Sequence, residues 1–202
     1  MTKISFNSEN LKVDWISFNL KGLANTRIIA GRLSNYFTPH VIIDGKPEIQ
    51  FHGLRKKYKV YIHQYMGSKG YWIGTKITFS GKNANYFYNL LKNQNFDWSL
   101  LKLKEHNLSL GRIDLCFSLM NNFSLTSKSF DKFLVDSRSH IQDHTSTKYI
   151  KLQDFPNGKM LKVNRRNNSQ HYRVYQKDGT VRFELELKHR QTKLVQDYLF
   201  QN

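Results

Sequence analysis

The chain has 202 residues, 39% hydrophobic and 14% aromatic, enough large apolar surface for a core and too much for wholesale disorder. A single cysteine, Cys116, excludes an internal disulfide framework and a Cys-rich zinc site. Thirty-two Lys and Arg against fifteen Asp and Glu give a formal charge of +17, which calls for a polyanion and puts nucleic acid first.

No long apolar run offers a membrane-spanning helix, and MTKISFNSEN lacks the apolar stretch of a secretory signal. The expected setting is reducing and soluble: the cytoplasm, or the stroma or matrix of an organelle. There is no repeat, low-complexity tract or Pro/Gly/Ser linker, so residues 1–202 are expected to form a single domain.

In chain order, Val13–Leu20 is rich in β-branched and aromatic residues and reads as a strand. Ala24–Tyr36 is ambiguous. Arg55, Lys56, Lys57 and Lys59 form a basic cluster suited to backbone phosphates, although solvation alone would explain it. Tyr58–Tyr65 and Tyr71–Ser80 are two more strands joined by a hairpin-type loop. Tyr58, Tyr61, Tyr65, Tyr71 and Trp72 could stack unpaired bases, with core packing the commoner fate of such rings. After Gly81, the spacing of Ala84, Phe87, Tyr88 and Leu91 predicts a helix. Asp97 could cap a second one through Leu100, Leu101 and Leu103.

Gly111–Leu119 alternates, with Ile113, Leu115, Phe117 and Leu119 opposite Arg112, Asp114, Cys116 and Ser118. A short helix is expected over Ser127–Val135 and a loop over His140–Ser146. Further strands are expected at Tyr149–Leu152, Met160–Val163, Tyr172–Lys177 and Thr180–Lys188, and a last helix from Thr192. Hairpin-linked strands with inserted helices predict an α+β fold: a mainly antiparallel central sheet with helices covering one face.

Asp178-Gly179 between two alternating runs is a strong hairpin signal. A two-residue turn pairs Lys177 with Thr180, Tyr175 with Arg182, Val174 with Phe183, Arg173 with Glu184 and Tyr172 with Leu185. Tyr172, Val174, Phe183, Leu185 and Leu187 then share an apolar face. His171, Arg173, Tyr175, Lys177, Arg182, Glu184 and Glu186 share a polar one, expected to be open. Such a face could be solvated, with cross-strand ion pairs. It could also be a phosphoryl-transfer site, with a tyrosine nucleophile, cations and carboxylates able to hold a divalent metal.

Four segments, VDWISFN, ITFSGKNANYF, GRIDLCFS, and NRRNNSQHYRVYQK followed by RFELELK, together resemble the replication initiation factors of the Rep_trans type, which start rolling-circle replication of plasmids and phages. The resemblance spans roughly Val13–Lys188. It implies site-specific nicking of origin DNA, duplex with an exposed single strand, with the protein left on the 5′ phosphate. It implies Tyr175 as nucleophile, with Tyr172 the runner-up; the hairpin register independently favours Tyr175, because it places the cations Arg173, Lys177 and Arg182 on the same face beside it. Asp114 and Glu184 would hold Mg²⁺ or Mn²⁺, with Asp14 or Glu186 completing the set. Arg165 and Arg166 would contact the DNA backbone, and a host helicase, a polymerase and a homodimer are the expected partners.

Three positions depart from the family pattern: Ser118 and Gln176 where acidic residues are usual, and Asn164 where a glycine is common. Members are often longer, so a C-terminal specificity region is expected to be missing. A DNA-binding module that does not cut and a relaxase with the same chemistry are the alternatives. No His-hydrophobe-His triplet exists among the eight histidines, so a two-histidine metal site is not expected. No phosphate-binding glycine loop is present either.

Overall fold

A computed structural model describes residues 11–20, 26–43, 45–50, 57–66, 72–93, 95–97, 108–119, 127–147, 149–155, 158–177 and 180–201. Among these are ten strands and four helices, an α+β fold whose strands pair mainly antiparallel. The chain divides into two compact units, one built on Val13–Ile113 with the residues from Thr192, the other on Asp114–Gln191.

The first unit holds β1 (Leu11–Leu20), α1 (Thr26–Leu33), β2 (Thr38–Ile43), β3 (Lys46–Gln50), β4 (Lys59–Met66), β5 (Trp72–Ser80), α2 (Lys82–Lys92) and the first half of β6 (Leu108–Leu119). Its strands lie in the order β3-β2-β4-β5-β1-β6. The parallel pair is β2 with β4, with His40 beside Tyr61 and Ile42 beside His63. Alternation decides the faces. Val60, Ile62, Ile77, Phe79, Ile16 and Phe18 are buried under α1 and α2, where Phe87 stacks on Phe79 with centroids 4.2 Å apart. The turn into α2 needs Gly81, whose φ of 54° suits a residue without Cβ; its N–H donates to the Asp14 carbonyl at 2.7 Å.

The second unit holds the rest of β6, α3 (Ser127–His144), β7 (Ile150–Phe155), β8 (Gly158–Val163), β9 (Gln170–Lys177) and β10 (Thr180–Lys188), in the order β6-β10-β9-β8-β7. α3 packs over β7 and β8. Phe130, Leu134, Leu161 and Val181 form its buried core, joined by Val174 and Phe183 from the hairpin. α4 (Arg190–Gln201) is the last element among the described residues.

Several boundaries differ from expectation. The ambiguous Ala24–Tyr36 segment contains α1, and β2 and β3 carry no clear sequence signal. The expected loop over His140–Ser146 is helical as far as His144, so the short helix is an 18-residue one. Ile141 continues the apolar side of that helix into the core, which overrides the polar composition. The helix expected after Asp97 lies outside the described residues, as does the Asp178-Gly179 turn. The strands flanking that turn nonetheless pair in the predicted register, from Lys177 with Thr180 to Tyr172 with Leu185. Asn164 adopts φ 67°, a left-handed conformation that asparagine tolerates better than most residues, in keeping with a position where glycine is common.

Candidate functional site: a buried tyrosine and carboxylate cluster

β9, β10 and the second half of β6 bring the predicted polar residues together. Directly paired residues share a sheet face, so Arg173 lies beside Glu184 and Tyr175 beside Arg182. Arg173 also reaches β6. Its Nη2 lies 2.8 Å from Glu184 Oε2, 3.4 Å from Asp114 Oδ2 and 3.9 Å from Glu186 Oε2. Three carboxylates thus converge on one guanidinium nitrogen.

The same carboxylates have further partners. Arg182 Nε lies 3.1 Å from Glu184 Oε1 and also donates to Cys116 Sγ. Lys188 Nζ lies 2.5 Å and Arg166 Nε 3.7 Å from Glu186. Four cations therefore surround three acids, which is why these acids tolerate burial. Lys188 additionally donates to the Arg166 carbonyl. His171 is buried beside them, and its Nδ1 donates to the Asn164 carbonyl at 2.8 Å. Burial lowers its pKa, which favours the neutral imidazole.

Tyr175 completes the cluster, and its hydroxyl donates to Glu184 Oε1 at 2.5 Å. It is 7% exposed, whereas the face that carries it was expected to be open. Asp114, His171, Glu184 and Glu186 are likewise buried. Burial raises the Tyr175 pKa, and the Glu184 bond and charge add to that rise; of the three expected cations Arg182 and Arg173 lower it, but by less, so the phenol is held protonated. Tyr172 departs from expectation in the opposite sense. It lies on the Val174 side, yet it is 37% exposed and its hydroxyl donates to Gln170 at 3.0 Å. The apolar cluster under α3 includes Val174 and Phe183 but not Tyr172.

The remaining predicted residues fall elsewhere. Lys177 stands exposed at the end of β9, its carbonyl accepting from Thr180. Arg165 and Arg166 are exposed on the turn before β9, with Arg165 over the Tyr149 ring. Lys57 and Lys59 are exposed, and Lys57 lies over the Tyr58 ring. Arg55 and Lys56 lie outside the described residues. Asp14 is on β1, in the other unit. Gln176 sits on the strand face opposite Tyr175, so its replacement of an acid leaves the cluster untouched. Ser118 is on the Cys116 side of β6, with its Oγ 3.9 Å from Cys116 Sγ.

Hard carboxylate oxygens are the right donor type for Mg²⁺ or Mn²⁺. At the point where they converge, however, the cation present is Arg173, and Glu184 and Glu186 carry further cations. In this arrangement the set does not fit a divalent ion. Among the described residues no three His, Cys, Asp or Glu side chains are grouped to hold one. The sequence offered two roles for this guanidinium, a cross-strand ion pair or a phosphate contact, and in the structure it is paired with the acids. The signal available was the pairing of Arg173 with Glu184, but the approach of Asp114 depends on a distant strand.

Among the described residues no helix is long and apolar enough to cross a membrane. No family model matches the chain, and no curated protein matches it. Among solved structures, the chain is similar to a rolling circle replication initiator protein from Geobacillus stearothermophilus. The identity is 14% and the TM-score 0.52, over 94% of this chain and 78% of that one, a likeness of fold.

Proposed function

We propose that the protein is a DNA-binding initiator of rolling-circle replication that nicks one strand with Tyr175. The observation that carries this reading is the Tyr175–Glu184 hydrogen bond inside a ring of cations. The fold likeness and the charge of +17 support it. A protonated phenol is a weak nucleophile, and it gains reactivity when an acceptor stands ready for its proton. Glu184 Oε1 is that acceptor. As the Tyr175 oxygen bonds to phosphorus, its proton passes to Glu184. The bond from phosphorus to the 3′ oxygen breaks, and that oxygen takes a proton from water, leaving a free 3′ hydroxyl and a 5′ phosphotyrosine. Arg173 and Arg182 hold Glu184 in place and lie within the cluster where phosphate charge would develop. Arg165 and Arg166, on the exposed turn before β9, are suited to backbone phosphates. No step here needs the divalent ion that the family resemblance implies.

The test is incubation with supercoiled plasmid and with single strands, with Mg²⁺, with Mn²⁺ and with a chelator. Open-circular product carrying covalent protein is expected, and its absence in every condition would refute nicking. A second reading, a module that binds DNA without cutting, is favoured by the burial of Tyr175. It predicts tight DNA binding with no adduct under any of these conditions.

A further inference from the structure

The first unit carries a row of rings that the chemistry above does not use. Along β4, Val60, Ile62 and Gln64 are buried beneath the helices, so Tyr61, His63 and Tyr65 point to the other side of the sheet. His40 on β2 pairs with Tyr61 and extends the row sideways. Centroid separations are 5.3 Å from His40 to Tyr61, 6.5 Å from Tyr61 to His63 and 6.3 Å from His63 to Tyr65. The last two rings are nearly parallel, at 15°. Tyr65 is 45% exposed, and the other three are half-buried. Lys76 pairs with His63 from β5, and Lys59 begins β4.

We infer that this face of β2, β4 and β5, with His40, Tyr61, His63 and Tyr65, is a stacking platform for single-stranded DNA. Three observations carry it. The separations exceed the spacing of about 3.4 Å between stacked bases of a duplex strand, so each ring suits one base of an unstacked, extended strand. Lys59 and Lys76 bring positive charge to the row, as a strand of phosphates requires. The imidazoles are also suited to stacking: burial, then Lys59 for His40 and Lys76 for His63, lowers their pKa, so near neutral pH both present uncharged aromatic faces. Aromatics on a sheet face are a recurring way to hold unpaired bases. The choice of DNA over RNA rests on the proposed function; the platform itself does not.

The experiment measures fluorescence anisotropy of a labelled 20-nucleotide oligo-dT strand, the same strand with alternate abasic sites, the oligo-U equivalent and a 20-base-pair duplex. The natural protein should lose about tenfold or more on the abasic strand, which keeps every phosphate but removes half the bases. Tyr65→Ala should lose about tenfold on oligo-dT, and Tyr61→Leu with Tyr65→Ala about a hundredfold. Duplex affinity should change less than threefold, and the salt slope should stay the same, because no charge is removed. Equal affinity for intact and abasic strands would overturn the platform, as would equal losses on strand and duplex. Tighter binding of oligo-U than oligo-dT would overturn the choice of DNA. The abasic comparison needs no variant, so a variant that fails to fold does not protect the inference. Failure of the adduct assay with the abasic result intact counts against nicking alone, and the reverse counts against the platform alone.

Discussion

Replacing Arg173 by methionine removes the guanidinium while keeping most of the stem's volume. The change strips Glu184 of a partner at 2.8 Å, Asp114 of one at 3.4 Å and Glu186 of one at 3.9 Å. Removing one member of a buried ionic cluster costs about 3–5 kcal/mol, because the remaining charges are left poorly compensated. Glu184 keeps Arg182 and Glu186 keeps Lys188, so the lower end applies, about 3 kcal/mol. For a chain of this size that corresponds to a fall in Tm of roughly 6–12 °C. Arg173→Lys restores the positive charge and should recover part of it, limited by the different length and shape of the side chain. The assay is thermal or urea unfolding of the three proteins side by side. A methionine variant as stable as the natural protein would refute the claim that Arg173 is the counter-ion of these acids.

Three further predictions concern stability and charge. The pKa of Tyr175 is raised in the fold, so its contribution is present in full below the unfolded value of about 10 and is lost as pH climbs above it. Urea unfolding between pH 9 and 11 should therefore show an alkaline loss of stability that Tyr175→Phe lessens; equal slopes would remove the assigned environment. Phe130→Ala, in the core under α3, should cost about 3–5 kcal/mol in urea unfolding, and a cost below about 1 kcal/mol would mean that α3 is not docked on β7 and β8. Neutralising Arg165 and Arg166 together should flatten the salt dependence of duplex binding by up to about two in log–log slope, while an unchanged slope would remove them from the phosphate contacts.

The hairpin was legible residue by residue because the Asp-Gly sequence signal implies a register, which the flanking strands adopt, and a period of two then assigns the faces. β2 was not, since it contains Pro39 and pairs in parallel with β4 across intervening chain, and nothing local signals such a contact. α3 was read short because Ser137–His144 is almost wholly polar; only Ile141 ties it to the core. The candidate site was legible in membership but not in state. Strand pattern placed Tyr175, Arg173 and Glu184 on one face and offered Asp114 from another strand. Whether that face is open depends on tertiary burial, which no strand pattern encodes. It is buried, and there desolvation outweighs the cations in setting the Tyr175 hydroxyl.

The most direct test of the central claim is to map the covalent adduct. The chain is incubated with single strands of randomised sequence and with supercoiled plasmid, digested with nuclease and trypsin, and analysed by mass spectrometry. Cleavage after Arg166, Arg173 and Lys177 separates the two candidate tyrosines, leaving Tyr172 in Asn167–Arg173 and Tyr175 in Val174–Lys177. The account predicts a nucleotide phosphate on the Val174–Lys177 peptide and none in Tyr175→Phe. A phosphate on the Asn167–Arg173 peptide, persisting in Tyr175→Phe, would contradict it.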